Sequence, residues 1–336
     1  MHVGLLGAGN ISDTHARAAR AIPGVEIAAV YGANREKAAR LAAQYGGVPF
    51  DDLDSFLAHR PMDIVAIGSP SGLHAEQAIA AIRRGLHVLV EKPLDVTLEK
   101  VDAVIDEASR SRVKVGVFFQ DRLRPDVVAI KGLIDAGRLG RPVFASGRVK
   151  WYRPPEYYAN SRWRGTWTLD GGGAVMNQAI HTVDVLQWLF GPVARVCART
   201  ATRVHAIEVE DTAAAVIEFA SGALGVFEAG TSIAPGYPRR VEVTGTEGTL
   251  ILEGDRLLAA DLRNAPDVLT ARPTDFESTA SPIVSDSTAH QRVFEDFIRA
   301  IERDGTPACD AREGRASVAI VQAIYRSSRE GRWEQP

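Results

Sequence analysis

Six residues into the chain an apolar run, His2 to Leu6, meets Gly7-Ala8-Gly9-Asn10-Ile11-Ser12, and a helical pattern begins at once. This order of strand, glycine-rich turn and helix constrains the fold more than any other feature of the sequence. Gly7 allows a tight turn, Gly9 lets a ligand backbone approach, and the new helix offers unpaired N–H groups and the positive end of its dipole. Such a turn is built to receive a pyrophosphate when it opens a βαβ unit. A bare βα turn without a ligand is the competing reading.

The residues up to Phe119 supply that unit. Apolar runs at His2–Leu6, Val25–Tyr31, Asp63–Ile67, His87–Val90 and Lys114–Phe119 alternate with helical patterns near Ile11–Ala21, Arg35–Tyr45, Leu53–His59, Leu73–Arg84 and Leu98–Ser109. Val-, Ile- and Leu-rich strands alternating with helices predict a doubly wound parallel sheet of the Rossmann type. After about Gln120 the texture changes. One helix over Pro125–Ala136, a long strand over Pro142–Arg153 and an apolar helix over Ala174–Phe190 precede strands at Val193–Val204, Thr212–Phe219, Ala223–Thr231, Arg240–Thr244 and Thr249–Leu252. Hairpin turns among these predict an α/β domain with a mainly antiparallel sheet. Asn264–Pro282 reads as loop, and helices near Thr288–Arg303 and Arg312–Arg329 close the chain. The expected division is 1–120 for a dinucleotide domain and 121–336 for a substrate and assembly domain. A length of 336 residues agrees with two domains of about 100–200 residues each.

Composition removes several function classes. The net charge of −3, from 39 Lys+Arg against 42 Asp+Glu, leaves no basic footprint for nucleic acid. Two cysteines, Cys197 and Cys309, cannot build a disulfide framework, and neither a leader nor a membrane span is visible. A cytoplasmic protein without a structural metal is expected; the histidines show no metal-ligand spacing. Only six of the basic residues are lysines: Lys37, Lys92, Lys100, Lys114, Lys131 and Lys150.

Two local patterns carry chemistry. At the end of the second strand, Gly32-Ala33-Asn34-Arg35 lacks the acidic residue that usually bonds the adenosine ribose. Asn34 and Arg35 could hold a 2′-phosphate beside Gly32, which favours NADP(H) over NAD(H). At the end of the fourth strand, Glu91-Lys92-Pro93 places a lysine where open α/β sheets bind ligands. Pro93 biases Lys92 to an extended backbone, and lysine, unlike arginine, can be tuned to release its proton.

Together with Ser69-Pro70-Ser71-Gly72-Leu73-His74 and Gly171-Gly172-Gly173-Ala174-Val175-Met176-Asn177-Gln178-Ala179-Ile180-His181, these motifs resemble those of the glucose–fructose oxidoreductase / inositol dehydrogenase (Gfo/Idh/MocA) family, over nearly the whole chain. The resemblance implies hydride transfer between a nicotinamide cofactor and a sugar, sugar derivative or cyclitol, with a C-terminal open sheet that joins subunits into a homodimer or homotetramer. It implies Lys92 and His181 as acid/base pair, with Asn177 where relatives carry aspartate; which of the pair is the base stays open. It implies cofactor contacts from Gly7, Gly9, Asn10, Ile11, Ser69, Pro70, His74, Glu91, Lys92, Gln120, Trp163 and Arg164. For the substrate it implies Lys92, Arg122, Tyr152, Arg153, Tyr158, Trp163, Asn177 and His181. An NAD-dependent glycoside hydrolase and a non-enzymatic NAD(P)-binding regulator are the alternative readings.

Overall fold

The computed structural model describes residues 1–263 and 286–336. The expected loop at Asn264–Pro282 lies outside the described residues. Along the chain the strands are β1 (His2–Leu6), β2 (Glu26–Tyr31), β3 (Val48–Phe50), β4 (Ile64–Ile67), β5 (His87–Val90), β6 (Val115–Val117), β7 (Pro142–Lys150), β8 (Val193–Ala201), β9 (Thr212–Phe219), β10 (Leu224–Gly230), β11 (Arg240–Gly245), β12 (Gly248–Glu253) and β13 (Arg256–Leu262). The α-helices are α1 (Asn10–Arg20), α2 (Arg35–Tyr45), α3 (Leu53–Ala58), α4 (His74–Arg83), α5 (Leu98–Ser109), α6 (Pro125–Asp135), α7 (Pro155–Ala159), α8 (Ile180–Phe190), α9 (Thr288–Glu302) and α10 (Ala311–Glu330). No described helix is long and apolar enough to cross a membrane.

The chain divides into two compact units, Met1–Gln120 with Ile283–Arg315, and Asp121–Pro282 with Ala316–Pro336. The first holds a six-stranded parallel sheet in the order β3-β2-β1-β4-β5-β6. Its central strand β4 is buried at every residue, as expected where helices cover both faces. β3 was not expected: three residues around a proline give too short a run for a period to show. One expectation needs correction. The stretch beyond residue 120 does not all belong to the second unit, because α9 returns to pack on α1. Phe294 and Phe297 of α9 are fully buried, and each contributes roughly 1.5–3 kcal/mol by leaving water.

The second unit holds a seven-stranded sheet in the order β13-β12-β11-β7-β10-β9-β8. All its pairs are antiparallel except β10 with β7, where Leu224 to Gly230 run beside Phe144 to Lys150. β13 and α7 are further elements that the sequence pattern does not announce. The single helix expected over Ala174–Phe190 is two structures: a π-helical turn over Ala174–Ala179, then α8. Along β9 and β10 burial alternates residue by residue, so one sheet face is covered and the other is open.

Candidate active site

In the first unit, the glycine-rich turn has the shape a pyrophosphate needs. Gly7 sits at φ +127° and donates its N–H to Tyr31 O at 2.9 Å; a Cβ there would lie 2.8 Å from Gly68 O. Gly9 is the N-cap of α1, with no side chain capping the helix and nothing within 4 Å of where its Cβ would be. Asn10 and Gly9 are exposed, Ile11 is half-buried, and the buried Ser12 Oγ has no partner among the described residues. An uncapped helix start over open space, with an orphaned hydroxyl beside it, fits the phosphates of a dinucleotide.

At the adenosine end, the residues expected to favour NADP(H) have partners of their own. The Asn34 side chain caps α2 by accepting from Lys37 N at 3.0 Å. Arg35 pairs with Asp51 at 2.9 Å on the surface. Gly32 is buried, and a Cβ on it would meet the Ala8 methyl at 2.8 Å.

At the end of β5, Glu91 N donates to Ile67 O at 2.9 Å, which fixes the turn to the neighbouring strand. The Glu91 carboxylate accepts from its neighbour's backbone, Lys92 N, at 3.2 Å through Oε2. Its Oε1 lies 3.0 Å from His15 Nε2 and 3.5 Å from His290 Nε2. Burial would raise the Glu91 carboxyl, but the imidazole hydrogen bonds outweigh it and hold the group well below the usual carboxylate range. Burial pushes His15 down, towards the neutral form. From sequence, the histidines show no ligand spacing. The structure nevertheless groups His15, Glu91 and His290, which are far apart in sequence, closely enough to hold a cation. Around them, Phe118 stacks on His15 at 4.3 Å between ring centroids.

His74, expected at the cofactor, meets two backbone carbonyls. Its ring is buried, with Nδ1 2.7 Å from Pro93 O and Nε2 2.9 Å from Ser69 O. Both nitrogens are engaged, so His74 ties the Lys92 turn to the Ser69 loop. Ser69 Oγ donates to Gln77 at 2.6 Å, and Pro70 precedes a 3₁₀ turn over Ser71–Leu73. Gln120 keeps a buried Oε1 without a partner among the described residues.

In the second unit, the last two glycines of the triplet lead into the π-helical turn because nothing larger fits there. A Cβ on Gly173 would lie 2.0 Å from Glu210 O, and one on Gly172 1.9 Å from the Tyr325 hydroxyl. The Glu210 carboxylate caps the turn, accepting from Gly173 N at 3.1 Å and Val175 N at 2.8 Å. Burial raises its pKa; those N–H groups pull it only part of the way back. Tyr325 donates to Glu210 at 3.0 Å and accepts from Met176 N. Glu210 and Tyr325 had no motif to announce them.

Asn177 lies in the π-helical turn and His181 in α8. The Asn177 amide donates to the buried Asp170, and its Oδ1 accepts from Gln178 Nε2 at 2.7 Å. His181 does have a carboxylate nearby. Asp121 Oδ2 is 3.8 Å from its Nδ1, and Asp121 is itself held by Arg239 and Arg124. Burial would raise Asp121, but Arg239, His181 and Arg124 together hold it well below the usual range. Sequence reasoning passes over Asp121 although it singles out both residues beside it.

Three expected substrate residues are already engaged. Arg122 is buried in a two-point ion pair with Asp184, both contacts 2.7 Å, and Ser317 also donates to Asp184. Arg153 is buried and donates twice to Gln178 Oε1, at 3.1 and 2.8 Å. The Tyr158 hydroxyl is bonded to Thr231 Oγ1 at 3.0 Å, and burial pushes its pKa up to about 12. Each of these side chains is held inside the unit by another residue. Tyr152, Trp163 and Arg164 remain half-buried, with the Arg164 guanidinium 4.2 Å from the Tyr157 ring centre and 5.4 Å from that of Trp163.

Comparison with known proteins agrees with this geometry. Residues 1–119 match an oxidoreductase family with an NAD-binding Rossmann fold, and 127–251 match the GFO/IDH/MocA C-terminal domain. Inositol 2-dehydrogenase of Rhizobium meliloti is 28% identical over 98% of this chain and 97% of its own. Levoglucosan dehydrogenase of Pseudarthrobacter phenanthrenivorans is 28% identical over 99% and 97%. The WlbA dehydrogenase of Bordetella pertussis, solved with NADH and UDP-GlcNAcA, is 33% identical with a TM-score of 0.88, covering 100% of this chain and 98% of that one. Matched in both its domains, this chain belongs to the Gfo/Idh/MocA family of oxidoreductases.

Proposed function

We propose that this oxidoreductase moves a hydride between a nicotinamide cofactor and a CH–OH carbon of a sugar, sugar derivative or cyclitol, with Lys92 and His181 handling the hydroxyl proton. The observation that carries the reading is the turn after β5. It presents the lysine at the carboxyl end of a parallel sheet whose first βα turn is an uncapped, open phosphate cradle. Bound there, the nicotinamide would supply the two-electron step. Lys92 would polarise the reacting oxygen, and His181 would hold or release the proton. Asp121 would give an imidazolium at His181 the opposite charge that Asn177, an amide, cannot. Asn177, with its amide fixed by Asp170 and Gln178, would offer a hydrogen bond of defined direction. Trp163 and Tyr152 would pack sugar faces, and Arg164 would be the basic group available to an anionic substituent.

For the cofactor, the capped Asn34 and the Arg35–Asp51 pair support NAD(H) rather than the NADP(H) expected from sequence, since Asp51 opposes a second phosphate. The open face of the C-terminal sheet supports a homo-oligomer. A cytoplasmic location is part of the same reading; neither Cys197 nor Cys309 forms a disulfide.

The test is turnover, followed by nicotinamide absorbance, with myo-inositol, levoglucosan and UDP-GlcNAcA as first substrates. Lys92→Ala is expected to abolish turnover while NADH still binds by fluorescence titration; undiminished turnover would overturn the assignment. In wild-type titrations NADH is expected to bind more tightly than NADPH, and the reverse order would favour a 2′-phosphate site at Asn34 and Arg35.

A further inference from the structure

Glu91 is a buried carboxylate that two imidazoles grip and that in turn grips the backbone of Lys92. The three residues come from α1, the end of β5 and α9, and all lie within the first unit. We propose that His15 and His290 are positioning residues, which hold Glu91 as an anion and through it fix the placement and charge of Lys92. The proposal rests on the reading of Lys92 as catalytic.

The tautomers follow from the contacts. Each Nε2 faces Glu91 Oε1, an acceptor, so each Nε2 carries a proton. Each Nδ1 is buried with no partner among the described residues. A bare lone pair there is cheap, whereas an orphaned N–H would cost the desolvation of a donor. Both imidazoles are therefore neutral, and the group carries one net negative charge, on Glu91. The same count disfavours a metal ion. Metal would displace both Nε2 protons and move them to Nδ1, where ligating histidines normally find an acceptor and these have none. The other groups facing the cluster are the rings of Phe118 and Phe294, with His74 as the further titratable neighbour. Apolar walls keep the anion's field strong, and the next residue along the chain is Lys92. The carboxylate splits its work: Oε1 takes the imidazoles and Oε2 takes the Lys92 N–H, so loss of an imidazole frees the group that sets the Lys92 backbone.

Six lysines make this measurable without a known substrate. Reductive methylation of the full-length protein with ¹³C-formaldehyde labels the six lysine amines and the amino terminus, and Lys92→Arg assigns the signal of interest. In Glu91→Gln the proton affinity of Lys92 is expected to fall about tenfold, since an opposite charge is removed. His290→Ala is expected to displace the Lys92 signal while the other labelled amines stay in place, and His290→Gln, which keeps an N–H, to restore it. On unsubstituted protein, ¹⁵N-histidine spectra are expected to show neutral Nε2–H tautomers for His15 and His290 at pH 7, which decides the matter even if the alanine variant does not fold. A Lys92 signal unmoved in folded His290→Ala, a charged or Nδ1–H tautomer, or one metal ion per chain held by these residues would overturn the proposal. Turnover by Lys92→Ala would instead refute the underlying catalytic reading, and the labelling result would show which of the two had failed.

Discussion

Asp121 shows how one residue can be invisible to a motif and central to its surroundings. It stands between two residues that family resemblance singles out, and its carboxylate meets Arg239, Arg124 and His181. Resemblance favours residue types that recur, so it pointed to the position of Asn177, where the carboxylate is missing, and not to the place where this chain supplies one. Nor does resemblance announce that the Arg122 guanidinium pairs with Asp184. The placement of Lys92 at a strand end and of Gly7 and Gly9 before a helix was legible because it depends on chain-local geometry. The energetic consequence of Asp121 follows from its depressed pKa. The folded protein binds fewer protons there than the unfolded chain does, so the stabilisation is complete above about pH 5, begins to fall below about pH 4 and is lost fully only once pH drops below the depressed folded value. His15, held neutral, acts in the same direction between about pH 7 and 6, because unfolding lets it take up a proton. Urea unfolding of the wild type should therefore show a midpoint that begins to fall below about pH 7 and falls further from about pH 4 to pH 2. Asp121→Asn should lower stability at pH 7 by about 3 kcal/mol, because it leaves Arg239 buried with one carboxylate fewer, and should flatten the lower part of that pH dependence.

At the scale of elements, helix and strand positions set by periodicity were readable, and the departures have physical causes. β3 and α7 are too short to show a period, and a proline lies within or at the start of each. The π-helical turn could not be read because it depends on contacts distant in sequence: Glu210 and Tyr325 fill its N-terminal end. Glycine at 173 is therefore a packing requirement. Gly173→Ala should cost about 1–3 kcal/mol in thermal or urea unfolding, since the Cβ meets rigid backbone at Glu210 O. Because Asn177 and His181 come soon after it in the chain, the same variant should lower kcat more than it weakens NADH binding. Equal stability and unchanged kcat would show that the turn tolerates the methyl.

For the whole molecule, the most consequential surface is the open side of the C-terminal sheet. Val216 and Val226 are cross-strand partners there, and Phe144 and Leu224 are another pair; all four are more than 40% exposed. A row of large apolar side chains on a sheet face is costly to leave in water. A second copy of the same face is the cover that a homo-oligomer would provide. Val226→Glu combined with Leu224→Glu should shift the particle mass measured by light scattering towards a single chain, with the fold retained by circular dichroism. An unchanged mass would rule this face out as a subunit contact.

The return of α9 to the first unit also has a consequence for synthesis on the ribosome. Strands β1 to β6 emerge early, but the helix that brings His290, Phe294 and Phe297 to them is translated only after the whole second sheet. At ordinary elongation rates that interval is roughly ten to thirty seconds. Through it Phe118 and His15 lack their final apolar cover, so the nascent N-terminal unit should be a chaperone client until translation is nearly complete.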